Sequence, residues 1–329
     1  MSEDTKAITE SVSKVVPKFH DALEEVHKVI VGQKHLVKSM FVGLLADGHL
    51  LVEGVPGLAK TMAVNTLSKV ISCDFKRVQF TPDLLPADLT GTTIFNQAEN
   101  KFVIRKGPIF TNILLADEIN RAPPKVQSAL LEVMQERQVT IGGTTYETGK
   151  PFMVMATQNP IELEGTYILP EAQTDRFMMK VLIDYPSKEE EKEIMNRMGK
   201  ISGLPGVEAV ISADDVLEAR DLVDKIYIDD KVVDYILDVV FATRAPAEYG
   251  VDIEGLLQFG ASPRASLSLQ IAGKAHAFLE GRGYVTPQDI KSIGPDILRH
   301  RLRRSYEAEA EGVASDDILD RIFSTIQVP

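Results

Sequence analysis

The chain has 329 residues, 44% of them hydrophobic and 26% charged, which is length enough for two domains and an ordinary balance for a soluble globular protein. Its formal net charge, 36 basic minus 48 acidic residues, is −12 and weighs against nonspecific attraction to nucleic acid or an anionic membrane. A lone cysteine, Cys73, excludes an intramolecular disulfide, no apolar run approaches the roughly 18 residues of a membrane span, and no signal peptide is evident, so a cytoplasmic protein is expected.

In chain order, residues 7–29 read as a helix with a break or kink near Pro17. From 49 to 186 short apolar runs alternate with amphipathic stretches. HLLVEG, FKRVQFT, NILLADE, PFMVMATQNP and MMKVLIDYP read as five strands, several of them apolar without alternation, as strands covered on both faces are. Between them, Ala63, Leu67, Val70 and Ile71 make one apolar helical stripe, and Val126, Ala129, Leu130, Val133 and Met134 make another. The alternation predicts an α/β fold with a mostly parallel five-stranded sheet and right-handed crossovers.

Two segments exceed a minimal sheet. Residues 87–108 hold two strand-like pieces around Asn-Gln-Ala-Glu-Asn, and residues 138–151 hold Gly142-Gly143 between β-branched residues; both predict hairpin insertions. After Pro186 the strand signals stop. Ser212 with Asp215 makes a capping box, Ser262-Pro263 opens a helix that Gly281 closes, and Thr286-Pro287-Asp289 opens another. The expected organisation is an α/β core over 1–186, with an N-terminal helix and both hairpins, and a small all-α domain over 187–329.

The stretch Gly54-Val55-Pro56-Gly57-Leu58-Ala59-Lys60-Thr61, running on into Met62, lies between a strand and a helix, the context of a phosphate-binding loop. Backbone N–H groups of such a turn cradle phosphate at a helix N-terminus. Lys60 would reach the β and γ oxygens of ATP or the β oxygens of ADP, and the Thr61 hydroxyl would ligate Mg2+. Ala59 stands where the usual loop has glycine; at the helix entrance, right-handed helical φ/ψ is expected, and that suits alanine.

NILLADE delivers Asp117 and Glu118 at the carboxyl end of a strand, where parallel sheets build their sites. Asp117 would hold Mg2+ with Thr61, and Glu118 would activate the attacking water. Gln158 and Asn159 end the next strand, and an amide there could orient that water, although Asn-Pro is also a common turn signal. Arg176 precedes the last strand. Arg264 sits in a first helical turn, where a cation opposes the helix dipole unless an anion is near; a surface role is the competing reading for both arginines.

Together IVGQKHLVKSMFVGLLADGHLLVEGVPGLAKT, ILLADEINRAPPKVQSALLEVMQE, ATQNPIELEGTYILPEAQTDRF and GASPRASLSLQIAGKAHAFLEGRGYVTPQDI resemble the MoxR family of AAA+ ATPases over nearly the whole chain. GVPGLAKT itself is similar to the family's own loop, GxPGxAKT. The resemblance implies a P-loop NTPase core of the helix-2-insert group, with hairpins matching 87–108 and 138–151, and a small all-α lid. It implies that Ile30, Val31, Gly32 and Gln33 form the box beside adenine, that Asn159 is sensor 1, and that Arg176 is an arginine finger serving a neighbour's site. Arg264 matches sensor 2, acting in cis or in trans. For Arg121 a contact with a neighbour's nucleotide and a pairing with an acid stay open. A finger in trans implies a hexameric ring, at least with nucleotide bound. The resemblance further implies a chaperone-like ATPase whose partners often carry von Willebrand A domains.

Six histidines and one cysteine show no zinc-like spacing, and no Ser/His/Asp array appears. The basic run LRHRLRRSY (298–306) reads first as a solvated or interdomain helix face. Two rival functions remain: an AAA+ nucleic-acid motor, against which the acidic charge and the hairpin GGTTYETG weigh, and a nucleotide-gated binding module without turnover, which needs none of Glu118, Asn159 and Arg176.

Overall fold

A computed structural model describes residues 3–55, 57–98, 100–160, 166–199 and 206–329. They form two compact units. One comprises Lys18–Phe177 and Val181–Leu217; the other comprises the chain up to Pro17, Met178–Lys180 and Glu218–Pro329. This division differs from an expected boundary at Pro186: residues 187–217 stay with the α/β unit, and the first 17 join the helical one.

The first unit takes up α1 (Glu3–Val29) after Pro17, then α2 (Lys34–Leu45), β1 (Leu50–Glu53), α3 (Lys60–Val70), β2 (Phe75–Gln79) and α4 (Pro86–Thr90). It continues with β3 (Gly91–Asn96), β4 (Lys101–Lys106), β5 (Ile113–Asp117), α5 (Pro124–Glu136), β6 (Gln138–Ile141) and β7 (Thr144–Glu147). β8 (Met153–Gln158), α6 (Glu171–Thr174), the second half of β9 (Met179–Leu182) and α7 (Lys188–Met198) complete the elements before α8 (Ala213–Lys225), the first half of β9 being counted with the helical unit. Of the break or kink expected near Pro17, a break does not occur: α1 runs through that residue as one helix. Val12, Val16, Phe19, Ala22 and Val26 are all buried along one stripe that crosses Pro17, and that burial outweighs the roughly 3 kcal/mol by which an interior proline disfavours a helix.

All five predicted strands form one sheet, in the order β2-β5-β8-β1-β9. The pairs β2/β5, β5/β8 and β8/β1 run parallel, with Gln79 opposite Asp117 and Glu53 opposite Gln158. The register therefore brings the carboxyl ends of four strands together. In β1, β5 and β8 every residue is buried except the last, because helices cover both faces and only the tips reach solvent. The core includes Leu114, Ala116, Val154 and Ala156 of the central strands against Leu130, Val133 and Met134 of α5. His49 threads this core as a neutral ring: Nδ1 accepts from the Val154 N–H at 2.9 Å, and Nε2 lies 3.0 Å from the Met134 carbonyl.

Both predicted hairpins are present. β3 and β4 pair antiparallel from Gly91–Lys106 to Asn96–Lys101, though the first residues of the 87–108 segment belong to α4. β6 and β7 close around Gly142 at φ 58° and Gly143 at φ 83°, the doubly left-handed pair a two-residue hairpin turn requires.

The second unit holds α9 (Asp230–Ala242), β10 (Leu257–Phe259), α10 (Pro263–Leu279), α11 (Pro287–Leu298), β11 (Arg303–Arg304), α12 (Tyr306–Ala310) and α13 (Ser315–Thr325), with the later part of α8. It is helical but not purely α, because β10 and β11 pair as a short antiparallel ribbon. The basic run 298–306 is not a solvated helix face either. α11 ends at Leu298, and Arg299 then pairs with Asp296 and Asp316 while donating to the Lys180 carbonyl. Arg301 is buried and donates to the carbonyls of Met178 and Ile297. These arginines are internal staples, each satisfied by acids or carbonyls as burial demands. The capping reading holds at α8, where the Ser212 and Asp215 side chains exchange bonds with each other's backbone N–H.

Candidate nucleotide-binding site

A cavity of about 630 Å³ opens at the carboxyl ends of β1, β2, β5 and β8, entirely within the α/β unit. That volume suits a cofactor-sized ligand. Its floor is the loop after β1 and the first turn of α3: Gly57, Leu58, Ala59, Lys60, Thr61 and Met62. Gly54 stands behind this floor, packed so tightly on Ile183 that a Cβ would lie 2.8 Å from that residue's carbonyl oxygen. Val55 likewise does not line the cavity, and Pro56 lies outside the described residues.

The loop corrects one expectation. Ala59 is not right-handed: it caps α3 at φ 57°, ψ 19°, in the left-handed region, and Gly57 turns the chain at φ 89°. Alanine therefore carries strain of about 1–2 kcal/mol at a position where glycine would carry none. The turn delivers Lys60 as the first residue of α3, with its ammonium donating to the Gly54 carbonyl. Burial pulls the Lys60 pKa below the usual lysine value, while Asp117, Glu118 and Glu53 oppose the shift.

The opposite wall is acidic, and Asp117, Glu118 and Asn159 meet there. Asp117 Oδ2 accepts from Arg77 Nε at 3.0 Å and Nη2 at 2.6 Å, and its Oδ1 accepts from the Thr157 hydroxyl at 2.6 Å. Glu118 takes a left-handed backbone at φ 56°, with its Oε2 accepting from Gln79 Nε2 at 2.8 Å and Arg121 Nη1 at 3.1 Å. Arg121 thus pairs with an acid within its own chain. Asn159 is buried at the tip of β8, beside Gln158.

The far end is apolar: Val29, Ile30 and Val31 face Ile194 and Met198 of α7. Gln33 lines it too, donating to the Asp184 carbonyl at 2.9 Å. Gly32, at φ 66°, shapes the bend without lining the cavity. Arg197 of α7 donates to the carbonyls of His27 and Lys28 at the C-terminus of α1, where a cation complements the helix dipole. Arg176 is not part of the cavity wall, and its Nε is buried without a hydrogen-bond partner. Arg264 belongs to the helical unit, in the first turn of α10 after Ser262.

Arg77, Gln79, Thr157 and the α7 residues went unnoticed in the sequence. Arg77 and Gln79, two apart on one face of FKRVQFT, are a readable signal: polar residues at that spacing on an edge strand share a side. Nothing local in KEEEKEIMNRM marks Ile194 and Met198 as cavity lining.

The donor set suits Mg2+. Among the described residues no cluster of three or more His, Cys, Asp or Glu could hold a metal by itself. Thr61 and Asp117 offer a hydroxyl and a carboxylate beside Lys60, the one or two hard oxygen ligands this ion takes when nucleotide phosphates supply the rest. Among the described residues, no helix is long and apolar enough to cross a membrane.

A parallel sheet in this order, a lysine-bearing loop between β1 and α3 and a separate helical unit define an AAA+ P-loop ATPase. The model of the family described as "ATPase family associated with various cellular activities (AAA)" matches residues 49–179, and that of the AAA lid domain matches 252–322. The chain is 49% identical to the chaperone MoxR1 of Mycobacterium tuberculosis over 97% of its own length and 85% of the relative's. It is 30% identical to the protein MoxR of Paracoccus denitrificans, covering 95% and 96% of the two chains. A crystal structure from Cytophaga hutchinsonii, provisionally described as an ATPase, superposes with a TM-score of 0.93 at 50% identity, covering both chains fully. The chain belongs to the MoxR family.

Proposed function

We propose that the protein hydrolyses Mg2+-ATP and couples the cycle to chaperone-like remodelling or maturation of partner proteins. One observation carries this reading: a single cavity gathers Lys60 and Thr61 from α3 with Asp117, Glu118 and Asn159 from the strand tips. In it, the loop N–H groups and Lys60 bind the phosphates, and the apolar end takes the adenine. Thr61 and Asp117 hold Mg2+, whose charge offsets that developing on the transferred phosphoryl group. Glu118 accepts the proton of the attacking water, and Asn159 orients that water. Arg176 acts from a neighbouring subunit, which calls for a hexameric ring assembled at least when nucleotide is bound, and Arg264 completes the site in cis or in trans. A partner with a von Willebrand A domain and a cytoplasmic location follow from the family resemblance and the lone cysteine.

The Glu118→Gln variant tests the reading. It should bind ATP as the unaltered chain does, with turnover at least about 100-fold lower. Unchanged turnover removes Glu118 from its role; absent nucleotide binding in the unaltered chain removes the function.

One observation favours a second reading, a nucleic-acid motor. The β3–β4 hairpin exposes Phe95 and Phe102, stacked edge-to-face at 5.3 Å, on the same hairpin as Lys101 and Arg105. Aromatic rings beside cations can hold single strands. Salt-sensitive DNA binding that stimulates turnover would favour this reading, and the net charge of −12 opposes it.

A further inference from the structure

α7 forms a wall of the cavity, yet the core holds it weakly. None of its 11 residues is buried, and a helix shorter than roughly 12–15 residues is marginal in water unless a packed face supports it. Ile194 and Met198, one turn apart, supply a single apolar strip, which lines the same end of the cavity as Val29, Ile30 and Val31. Polar contacts fix the helix at its two ends. At the start, the Ser187 N–H donates to Glu190 Oε2 at 2.8 Å and the Glu190 N–H donates back to Ser187 Oγ at 3.3 Å. Gln33 Nε2 donates to the Asp184 carbonyl just before, and Glu190 packs on Gly32 so closely that a Cβ there would lie 2.6 Å from its Oε1.

At the other end of α7 the fastening is one guanidinium. Arg197 Nη1 donates to the carbonyls of His27 at 2.9 Å and Lys28 at 3.1 Å, and Nη2 pairs with Glu193 one turn back. The two carbonyls belong to the last turn of α1, which a helix leaves without internal donors, and the dipole favours a cation there. Val29, the next residue, opens the apolar end of the cavity, and Met198, the residue after Arg197, lies on its opposite side. One side chain thus joins the two strips that would sandwich a base. Without it, the last turn of α7 is free to draw back while the capped start and the phosphate loop stay in place. An adenine ring between the strips would supply the apolar burial that α7 lacks.

We propose that Arg197 is a positioning residue for the base: it latches the last turn of α7 onto the end of α1, closes the apolar end of the cavity over adenine and so sets how long ADP stays bound. The latch rests on the nucleotide-binding reading above. Glu193 orients the guanidinium and is its accessory.

The test uses the full chain with Arg197→Met, Arg197→Lys, Glu193→Gln and the double variant Glu193→Gln/Arg197→Met. Release of ADP carrying a fluorescent group on its ribose is followed after mixing with excess ATP. Pyrophosphate binding is read from its competition with the labelled ADP, and turnover is measured across a range of Mg2+-ATP. Arg197→Met should release ADP about tenfold faster, the low end for charge-assisted hydrogen bonds, because the side chain is 36% exposed. Association should change little, KM for ATP should rise in step, and kcat should not fall. Pyrophosphate, which reaches the loop and not the apolar end, should bind the variant as it binds the unaltered chain. Arg197→Lys keeps the charge but lacks the fork that spans two carbonyls and Glu193, so its release rate should lie between. Glu193→Gln should speed release about threefold alone and add nothing to Arg197→Met. Unchanged ADP release, pyrophosphate weakened as much as ADP, or a lower kcat at unchanged KM overturns the latch while leaving the ATPase reading intact. An unaltered chain that binds no nucleotide overturns both.

Discussion

Lys60 folds its ammonium back onto the carbonyl of Gly54, so the helix that follows the loop is tied to the residue that begins it. The link between them is Ala59, held at φ 57°. Replacing Ala59 with glycine removes about 1–2 kcal/mol of left-handed strain and returns about 0.4–1 kcal/mol through the looser unfolded chain. Ala59→Gly should therefore stabilise the protein by about 0.5–1 kcal/mol, seen as a higher urea midpoint with an unchanged m-value. Ala59→Val should shift the midpoint the other way, because a β-branched residue tolerates positive φ worse than alanine. A midpoint that does not rise on Ala59→Gly would place the strain elsewhere.

The same loop shows what a sequence discloses and what it withholds. Its strand–turn–helix setting was legible because local pattern dictates it, and the runs ILLAD and MVMATQ read as buried strands because helices cover both faces. The backbone sign at Ala59 was not legible, since nothing in the residue type announces a positive φ. Arg77 meeting Asp117 depends on β2 pairing with β5 in one register, a tertiary fact absent from FKRVQ alone. Within 298–306 a solvated face is wrong for Arg299 and Arg301 for a related reason: clustered charge usually marks solvent, and Arg303 is indeed exposed, yet Asp296, Asp316 and the carbonyls of 178 and 180 supply these two with internal partners. Pro17 misled because its penalty is local, whereas the stripe that overrides it spans the whole helix.

Asp289 anchors the helical unit. Its buried carboxylate accepts from the Thr286 backbone N–H at 2.7 Å and from Arg282 at 2.9 Å, and lies 2.7 Å from His276 Nδ1. Burial pushes its pKa up, but the donors from His276, Arg282 and Thr286 outweigh that and hold it well below the usual carboxylate range. A depressed folded pKa stabilises fully above the unfolded value, so this contribution is present above about pH 4 and is lost as acid carries the pH down toward the folded value. Asp289→Ala should cost about 3–5 kcal/mol by stranding Arg282 and His276. It should also flatten the acid limb of a pH–stability curve; a parallel curve, merely lowered, would assign that limb to other carboxylates.

Cys73 is half-buried, and burial raises its thiol to about 11, with Asp74 adding to the shift. Since the thiolate is the reactive form, iodoacetamide should modify the native chain at pH 8 about 100-fold more slowly than a free thiol. The rate should keep climbing beyond pH 9 instead of levelling. The sign for stability follows: a raised folded pKa stabilises below the unfolded value, near pH 9, and that stability fades as the pH rises toward 11. Rapid labelling at pH 8 would mean that the segment opens locally.

Arg176 supplies the prediction that reaches beyond one subunit. Its Nε is buried without a hydrogen-bond partner, and the residue does not line its own chain's cavity. If it completes a neighbour's site, Arg176→Ala and Lys60→Ala should each lower turnover about 1,000-fold alone. Mixed in equal amounts, they should recover, because about one interface in four then joins an intact Lys60 to an intact Arg176 from the next copy. Recovery should appear only at concentrations where size measurements show assembly, and should scale with the square of dilution if encounter limits it. A mixture shown to be assembled yet inactive would return Arg176 to its own chain, and the ring would lose its chemical necessity.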